Sequence, residues 1–516
     1  MIRRHFPDLT LLLLLSVLFS VITGCGRQTD TALRFEMERL LVQADRLQDQ
    51  LKIRSAALPE SDLNRLIEAY EKVAAKAPAI KSLSEIEKAS EDRKQAWAIG
   101  SLAVTRIGTL YLNHRIYDKA FERFKSVADN PTTTTLEKNA VTSYMALALE
   151  RLGRYQEASV FYDSLAIGYL AVLAPQNPNL DALDGPLKSA EMWMKAGYRN
   201  RYLEKMVLAE SYYKNIIDKY KGTLLEAAAV GKLSGAYLQQ SKFDDAIRVL
   251  QTVRDDSSGY ISPTILMTIA DIYLNRLRDF RSAERTYRDF LEYYPKHESA
   301  ALAQLGLGLT LFEQTKYAEA RKAVQGIEKI PRIRQNTTAQ ALFLVALCFE
   351  KEDKWELAKG QFDIVQSSFI GTEHAFEAAL HVPAYYRNRG KTELAERAYE
   401  SAVRYIEKYA EENTANPVSV SRALGYLVRA YTENGDYDNA ARQLTALHDR
   451  FPQLPEGKLA PLRLGELFET VINDTAKAID WLRIFVAENP DASNINDIKN
   501  HILDLQSHKG KTIGRR

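Results

Sequence analysis

The sequence has few cysteines and almost no net charge. Its two cysteines, Cys25 and Cys348, cannot build a disulfide framework or a multi-cysteine metal site. With 69 basic and 67 acidic residues among 516, the net charge of +2 carries no electrostatic signature of a nucleic-acid-binding protein. A hydrophobic content of 46% is too high for a disordered chain. The chain is therefore predicted to fold, either as several globular domains or as one long repeat array.

Common catalytic and nucleotide-binding motifs are absent as well. The eight histidines are scattered, and neither His-Glu-x-x-His nor Gly-x-Ser-x-Gly occurs. Gly390-Lys391-Thr392 matches the end of a phosphate-binding loop, but Tyr385 stands where the first glycine is required. We therefore expect no enzyme, no cofactor and no metal site.

The N-terminus carries a short apolar run that ends at a cysteine. Residues 9–22 are uncharged and mostly apolar, and about 20 residues are needed to cross a bilayer as a helix. The run therefore predicts a secretory signal, and no later segment reads as a membrane span. Ile22-Thr23-Gly24-Cys25 resembles the bacterial lipobox, in which the cysteine is acylated and becomes the first mature residue. An ordinary signal peptide with a chance cysteine, or an N-terminal membrane anchor, is the alternative.

The lipobox resemblance implies a location. Residues 1–24 would be the signal peptide and Cys25 the lipid attachment site. Because Gly26 follows where an aspartate would retain the protein at the inner membrane, the resemblance favours the periplasmic face of the outer membrane.

One pattern recurs along most of the chain, an alanine followed four residues later by an apolar or aromatic residue. Most steps between successive alanines are 37 or 38 residues. These anchor alanines are Ala120, Ala158, Ala209, Ala246, Ala283, Ala320, Ala358, Ala395, Ala440 and Ala478. A small residue lies twelve or thirteen positions before most anchors, and prolines often follow eleven or twelve positions after them.

This order of small, aromatic, alanine, aromatic and proline positions resembles the tetratricopeptide repeat (TPR), a helix-turn-helix unit of 34 residues. The resemblance implies an all-α, TPR-type superhelical solenoid of about ten repeats. The small residues would let the paired helices approach closely, and the aromatic residue would fill the gap to the next repeat. Repeat three departs from the pattern, with Gly197 at the small position but Asn200 where the aromatic belongs.

The repeat pattern also predicts a domain organisation. Residues 25–96 would form a linker and helical cap, 97–165 repeats 1–2, 166–190 an inserted loop, 191–490 repeats 3–10, and 491–516 a capping helix with a basic tail.

A narrower resemblance covers about one and a half repeats. Residues 290–297, 303–306 and 316–320 are similar to tetratricopeptide lipoproteins of envelope biogenesis, namely the BamD-like β-barrel assembly component and the periplasmic coordinator of the Tol system. This similarity supports the same compartment.

The family resemblance also implies a groove. In tetratricopeptide arrays the first helices of successive units line a concave surface that holds an extended peptide or a partner helix. The family's groove positions fall on Asn113, Glu150, Arg151, Gln239, Asn275, Glu313, Glu350, Lys351, Arg387 and Asn388. This set is polar and mixed in sign, and it lacks the pattern of the carboxylate-clamp subclass.

The leading functional hypothesis is a non-catalytic scaffold or adaptor lipoprotein for envelope assembly or export. Its partners would be envelope proteins or peptides, with the membrane reached through the N-terminal lipid and no nucleic acid bound. The alternative is a glycan-handling helical lipoprotein, either of a polysaccharide export system or SusD-like. The four tryptophans are spread over different repeats and give no evident aromatic platform for binding a sugar.

Overall fold

The computed structural model describes residues 29–54, 58–170, 183–253, 259, 261–330, 333–490, 492 and 494–513. These residues form 24 α-helices and no strand. None of the helices in the described ranges is long and apolar enough to cross a bilayer. Cys25 and the predicted signal peptide lie outside the described residues.

The chain divides into two compact units, Met1–Leu208 and Ala209–Arg516. The helices that lie within the first unit are α1 Asp30–Arg54, α2 Glu60–Ala74, α3 Leu83–Lys88, α4 Glu91–Asn113, α5 Tyr117–Ala128, α6 Thr135–Arg151, α7 Tyr155–Leu170 and α8 Gly185–Lys195. Helix α9, Arg199–Lys219, contains the boundary. The second unit continues with α10 Leu224–Gln239, α11 Phe243–Leu250, α12 Pro263–Ile272, α13 Phe280–Tyr293, α14 Ala300–Glu313, α15 Tyr317–Val324, α16 Gln335–Lys351, α17 Trp355–Ser368, α18 Glu373–Asn388, α19 Thr392–Glu412, α20 Pro417–Glu433, α21 Tyr437–Arg450, α22 Pro455–Thr470, α23 Thr475–Glu488 and α24 Ile495–Ile513.

From α4 to α23 the helices follow one another as ten helix pairs. Each anchor alanine lies in the second helix of its pair and is at most 5% exposed. The residue four positions later is buried in nine pairs, and Tyr399 in the eighth is half-buried. First helices of consecutive pairs also touch each other, as α14 touches α16 and α16 touches α18. The predicted all-α repeat solenoid is confirmed.

Glycines mark the closest approaches between paired helices. A Cβ on Gly108 would lie 2.6 Å from the ring of Phe124, which is the residue four positions after its anchor. Gly308 faces Val324 in the same way. Gly306 faces the ring of Tyr287, which belongs to the preceding pair. The small residue therefore permits the crossing, and the aromatic fills the gap to the next pair.

The fifth pair has one additional residue between its small position and its anchor alanine. Thirteen residues separate Ala270 from its anchor Ala283, whereas twelve separate Gly108 from Ala120. The extra residue widens the end of α12 into a π-helical turn over Tyr273–Leu277. A π turn holds one residue more than an α turn, so the anchor stays in register.

In several pairs, the residue directly after the anchor alanine forms hydrogen bonds with the next pair. Glu284 accepts hydrogen bonds from Gln314 Nε2 at 2.9 Å and from Lys316 Nζ at 3.0 Å. Burial raises the pKa of the Glu284 carboxyl, but the bonds from Lys316, Gln314 and Arg288 outweigh burial and lower it to about 2. Equivalent contacts join Ser159 to Ser189, Glu210 to Gln240 and Lys242, and Arg321 to Glu352.

The third pair differs from the prediction. In the other nine pairs the second helix begins three residues before its anchor, whereas α9 begins at Arg199, ten residues before Ala209. Gly197 therefore lies in the turn, with φ of +83°, and Asn200 lies in the second helix. The assignment of Gly197 to the helix crossing is wrong.

The predicted loop over 166–190 is shorter at both ends. Helix α7 continues to Leu170 and α8 begins at Gly185, while 171–182 lie outside the described residues. The other predicted domain boundaries stay a prediction.

Candidate functional site

An open groove lies along the first helices of the last three pairs. Helices α18, α20 and α22 border this groove, which has a volume of about 550 Å³. Its lining consists of small, aromatic and charged side chains: Glu373, Glu377, Arg422, Gly425, Tyr426, Arg429, Glu456 and Arg463. Gly425 leaves the middle of α20 without a side chain, which keeps the groove open.

Part of this lining is fixed by internal ion pairs. Arg429 Nη1 donates to both carboxylate oxygens of Glu377, at 2.7 and 2.8 Å, and its Nε donates to Glu433 at 2.6 Å. Burial lowers the pKa of the Arg429 guanidinium, but the bonds to Glu433 and Glu377 outweigh it and raise that pKa. Burial and the Glu377 carboxylate likewise raise the pKa of Tyr426. Arg429 and Tyr426 thus join α18 to α20.

Two arginines in the groove stay free. Arg422 on α20 and Arg463 on α22 are exposed, and neither forms a hydrogen bond or ion pair within the described part of the chain. Glu456, between them in the lining, accepts a hydrogen bond from Ser421 Oγ at 2.9 Å. Because guanidinium groups bind carboxylates with two parallel hydrogen bonds, these arginines can hold acidic side chains of a ligand.

Four of the predicted groove residues bond to a neighbouring repeat. Glu150 accepts from Lys195 Nζ at 2.5 Å and from Tyr162 Oη at 2.9 Å. Burial raises the pKa of Glu150, but these two bonds outweigh it and lower that pKa. The other three contacts are Glu313 with Arg278 at 2.9 Å, Glu350 with His381 at 2.5 Å, and Arg387 with the carbonyl of Glu433 at 2.8 Å.

The remaining predicted groove residues are exposed at or near the ends of first helices, without a described bond. They are Asn113, Arg151, Gln239, Asn275, Lys351 and Asn388. Asn113, Glu150 and Arg151 belong to the first unit, and the other seven residues of the predicted set belong to the second. Their role in ligand binding stays a prediction.

The residues that line the observed groove were missed from the sequence. They lie one to four turns before the ends of the first helices, where charged residues interrupt otherwise apolar segments. Glu373 and Glu377 are four residues apart, and Arg422 and Arg429 are seven apart, so each pair lies on one helix face. That spacing is the signal that could have found them.

Family models identify the repeats. The tetratricopeptide repeat model matches residues 267–331 and 427–493, and the tetratricopeptide repeat protein 21 ARM repeat model matches residues 187–290. The chain therefore contains tetratricopeptide repeats. Helix α22 and the last seven residues of α20 lie within the second match of the former model, whereas residues 417–426 of α20 lie outside it.

Solved structures show only low similarity to the chain. A monomeric mutant of IFIT1 with m7Gppp-AAAA has 11% identity and a TM-score of 0.31, over 80% of this chain and 83% of that chain. A human IFIT1 dimer with PPP-AAAA has 11% identity and a TM-score of 0.31, over 89% of this chain and 88% of that chain. Similarity at this level carries no argument about ligands. No curated protein matches the chain.

Proposed function

We propose that this tetratricopeptide repeat protein is a non-catalytic scaffold or adaptor lipoprotein, held at the periplasmic face of the outer membrane through Cys25. Tetratricopeptide repeats indicate a protein-interaction scaffold, and their families are generally non-catalytic. Within that class, the lipobox and the local similarity to envelope tetratricopeptide lipoproteins support a role in envelope assembly or export. The partners are envelope proteins or peptides.

The groove of α18, α20 and α22 is the observation that carries the proposal. Arg429 is hydrogen-bonded to Glu377 and Glu433, so the shape of the groove does not depend on a ligand. Arg422 and Arg463 have no hydrogen-bond partner among the described residues. An extended or helical segment that presents carboxylates on one side would complement them, and the ion pairs behind them would hold the site rigid during binding.

A glycan ligand is not favoured. Sugar-binding platforms need exposed aromatic faces, yet Trp97 and Trp355 are buried and Trp193 and Trp481 are half-buried. The ring of Trp355 is stacked on Tyr385 at a centroid distance of 3.3 Å, which leaves that face unavailable.

Partner recovery tests the groove. The tagged full-length protein is purified from gently solubilised envelopes, and co-purifying proteins are identified by mass spectrometry. We expect Arg422→Glu with Arg463→Glu to reduce recovery of the main partner at least tenfold, because like charges across an interface are repulsive. The matched control is Lys322→Glu with Arg483→Glu, which reverses two exposed charges on second helices.

If the groove variant and the control variant recover the same proteins in the same amounts, the groove is not the binding site. Barrel-assembly, Tol or secretion components among the partners would identify the pathway. The anchor is tested separately: Cys25→Ala should release the protein from sedimented membranes, and retention there would contradict the lipoprotein assignment.

A further inference from the structure

Helix α1 has a largely exposed outer face, on which the guanidinium of Arg34 lies over the ring of Phe35 at 4.5 Å. Its inner face packs into the first unit through buried Met37, Ala44 and Leu51. The opposite side carries Phe35 and Val42, which are 56% and 47% exposed. We call the stripe formed by Phe35, Arg39, Val42 and Arg46 the outer stripe of α1. Their spacing of four, three and four residues places all four side chains on one side of the helix.

The outer stripe carries two arginines. Arg39 and Arg46 are exposed and form no hydrogen bond or ion pair with any described residue. Arg34, by contrast, pairs with Asp92 at 3.1 Å. Two apolar side chains alternate with two free guanidinium groups along about three turns, and a surface of this composition can contact both the acyl chains and the phosphates of a bilayer.

The nearby carboxylates do not neutralise the stripe. Glu38 lies 3.6 Å from Arg34, and Asp45 accepts a hydrogen bond from Tyr70 Oη at 2.6 Å. Asp49 follows Arg46 by three residues on the same side of the helix, so it offsets one of the two positive charges. With Asp49 included, the net charge presented outward along the stripe is +1.

The length of chain between Cys25 and α1 limits how far the helix can be from a lipid anchor. Asp30, the first residue of α1, follows Cys25 by five residues, which span at most about 18 Å when fully extended. Helix α1 has 25 residues and is about 37 Å long. An acylated Cys25 would therefore hold the start of α1 closer to the bilayer than the length of the helix itself.

We propose that the outer stripe of α1 lies on an anionic bilayer surface, with Phe35 and Val42 at the boundary between headgroups and acyl chains and with Arg39 and Arg46 against lipid phosphates. This inference rests on the lipid anchor of the proposed function. It adds a second membrane contact that fixes how the first unit is presented to the membrane. Each arginine near an anionic surface contributes about a fivefold gain in association.

A fluorophore on the outer stripe tests the proposal. The full-length Val42→Cys protein is labelled with a thiol-reactive, environment-sensitive dye and reconstituted into vesicles of phosphatidylcholine with phosphatidylglycerol. Cys348 is buried and an acylated Cys25 has no thiol to react, so the label reports position 42. We expect emission at a shorter wavelength than for the same dye on Leu136→Cys, an exposed position on α6.

Charge removal supplies the matched comparison. Arg39→Gln with Arg46→Gln, added to the labelled protein, should weaken association of the stripe with anionic vesicles about 25-fold, which reverses the emission shift. Arg65→Gln with Lys125→Gln removes the same charge from exposed positions on α2 and α5 and should leave the shift intact.

The outcomes separate this inference from the anchor. If the protein without Val42→Cys takes up no dye but the label at position 42 shows no shift on anionic vesicles, the anchor stands and the stripe does not contact lipid. If the emission shift occurs in native envelopes but not in vesicles that contain no other protein, another protein covers the stripe and the inference is overturned. If Cys25 itself is labelled, the lipid anchor is absent and the inference falls with it.

Discussion

Replacing Gly308 by alanine tests whether glycine at a helix crossing is a packing requirement. A Cβ at this position would lie 2.6 Å from Cγ1 of Val324 and 3.1 Å from Cδ2 of Leu344. Val324 is β-branched and 3% exposed, so its restricted χ1 and its buried surroundings oppose a shift of the side chain. Overpacking of this kind costs about 1–3 kcal/mol. The better helix propensity of alanine returns about 1 kcal/mol, so we expect Gly308→Ala to lower the free energy of unfolding by about 1 kcal/mol and by at most about 2.

Gly231→Ala is the matched control. Gly231 also lies in a first helix of the second unit, on α10, but no atom of another element lies within 4 Å of the position its Cβ would take. Only the helix-propensity term applies there, and we expect the free energy of unfolding to rise by about 0.5–1 kcal/mol. The two variants make the same chemical change with opposite expected signs.

Urea unfolding followed by far-ultraviolet circular dichroism measures both variants. Because long repeat arrays can unfold in more than one step, hydrogen exchange over α14 and α15 should accompany it and show faster exchange there in Gly308→Ala. If Gly308→Ala stabilises the protein as much as Gly231→Ala does, the crossing has room for a methyl group and the packing argument is wrong. Gly108→Ala, against the Phe124 ring, repeats the test in the first unit.

Two further predictions concern ionisable groups. Glu284→Gln should lower the free energy of unfolding by about 1–2 kcal/mol at neutral pH, because it removes a carboxylate that accepts bonds from Lys316 and Gln314. The pKa of Glu284 is lowered from 4.5 to about 2, so its contribution is present above about pH 4.5 and is lost as pH falls toward 2. A stability difference that stays constant over that range in urea titrations would contradict this reasoning. Burial raises the pKa of the Cys348 thiol to about 12, so the native protein should resist thiol reagents at Cys348 until urea unfolds it, and rapid native labelling at Cys348 would refute its burial.

The helix pairs could be predicted from the sequence because their signals are local. An anchor alanine and the residue four positions later lie on the same helix face, and the crossing recurs at almost the same spacing in each pair. Burial of Ala120 with Phe124, and of Ala283 with Tyr287, follows from that periodicity alone. The third pair differs because the turn before α9 lies seven residues further from the anchor than in the other pairs. The position of the anchor alanine alone does not reveal that difference.

The groove could not be predicted in the same way. Its charged residues are constrained by neighbours far along the chain, as Arg429 is by Glu377, 52 residues earlier. The family positions also fall near the ends of the first helices, where Glu150 and Arg387 meet the next repeat. Nothing in a periodic pattern separates a charged side chain that joins two repeats from one that faces a ligand.

That distinction decides which mutations can test binding. Arg387 donates to the carbonyl of Glu433 at 2.8 Å and to Asn434 Oδ1 at 2.9 Å, so Arg387→Glu should break two contacts between repeats. We expect it to lower the free energy of unfolding by about 1–3 kcal/mol, since bonds to charged groups contribute about that much. Arg422→Glu removes no described contact and should change stability by less than about 0.5 kcal/mol. Loss of partner recovery in Arg387→Glu would therefore mix unfolding with binding, whereas loss in Arg422→Glu at unchanged stability reports the groove. Equal destabilisation of the two variants in urea titrations would show that Arg422 also joins repeats, and the groove assignment would then fail.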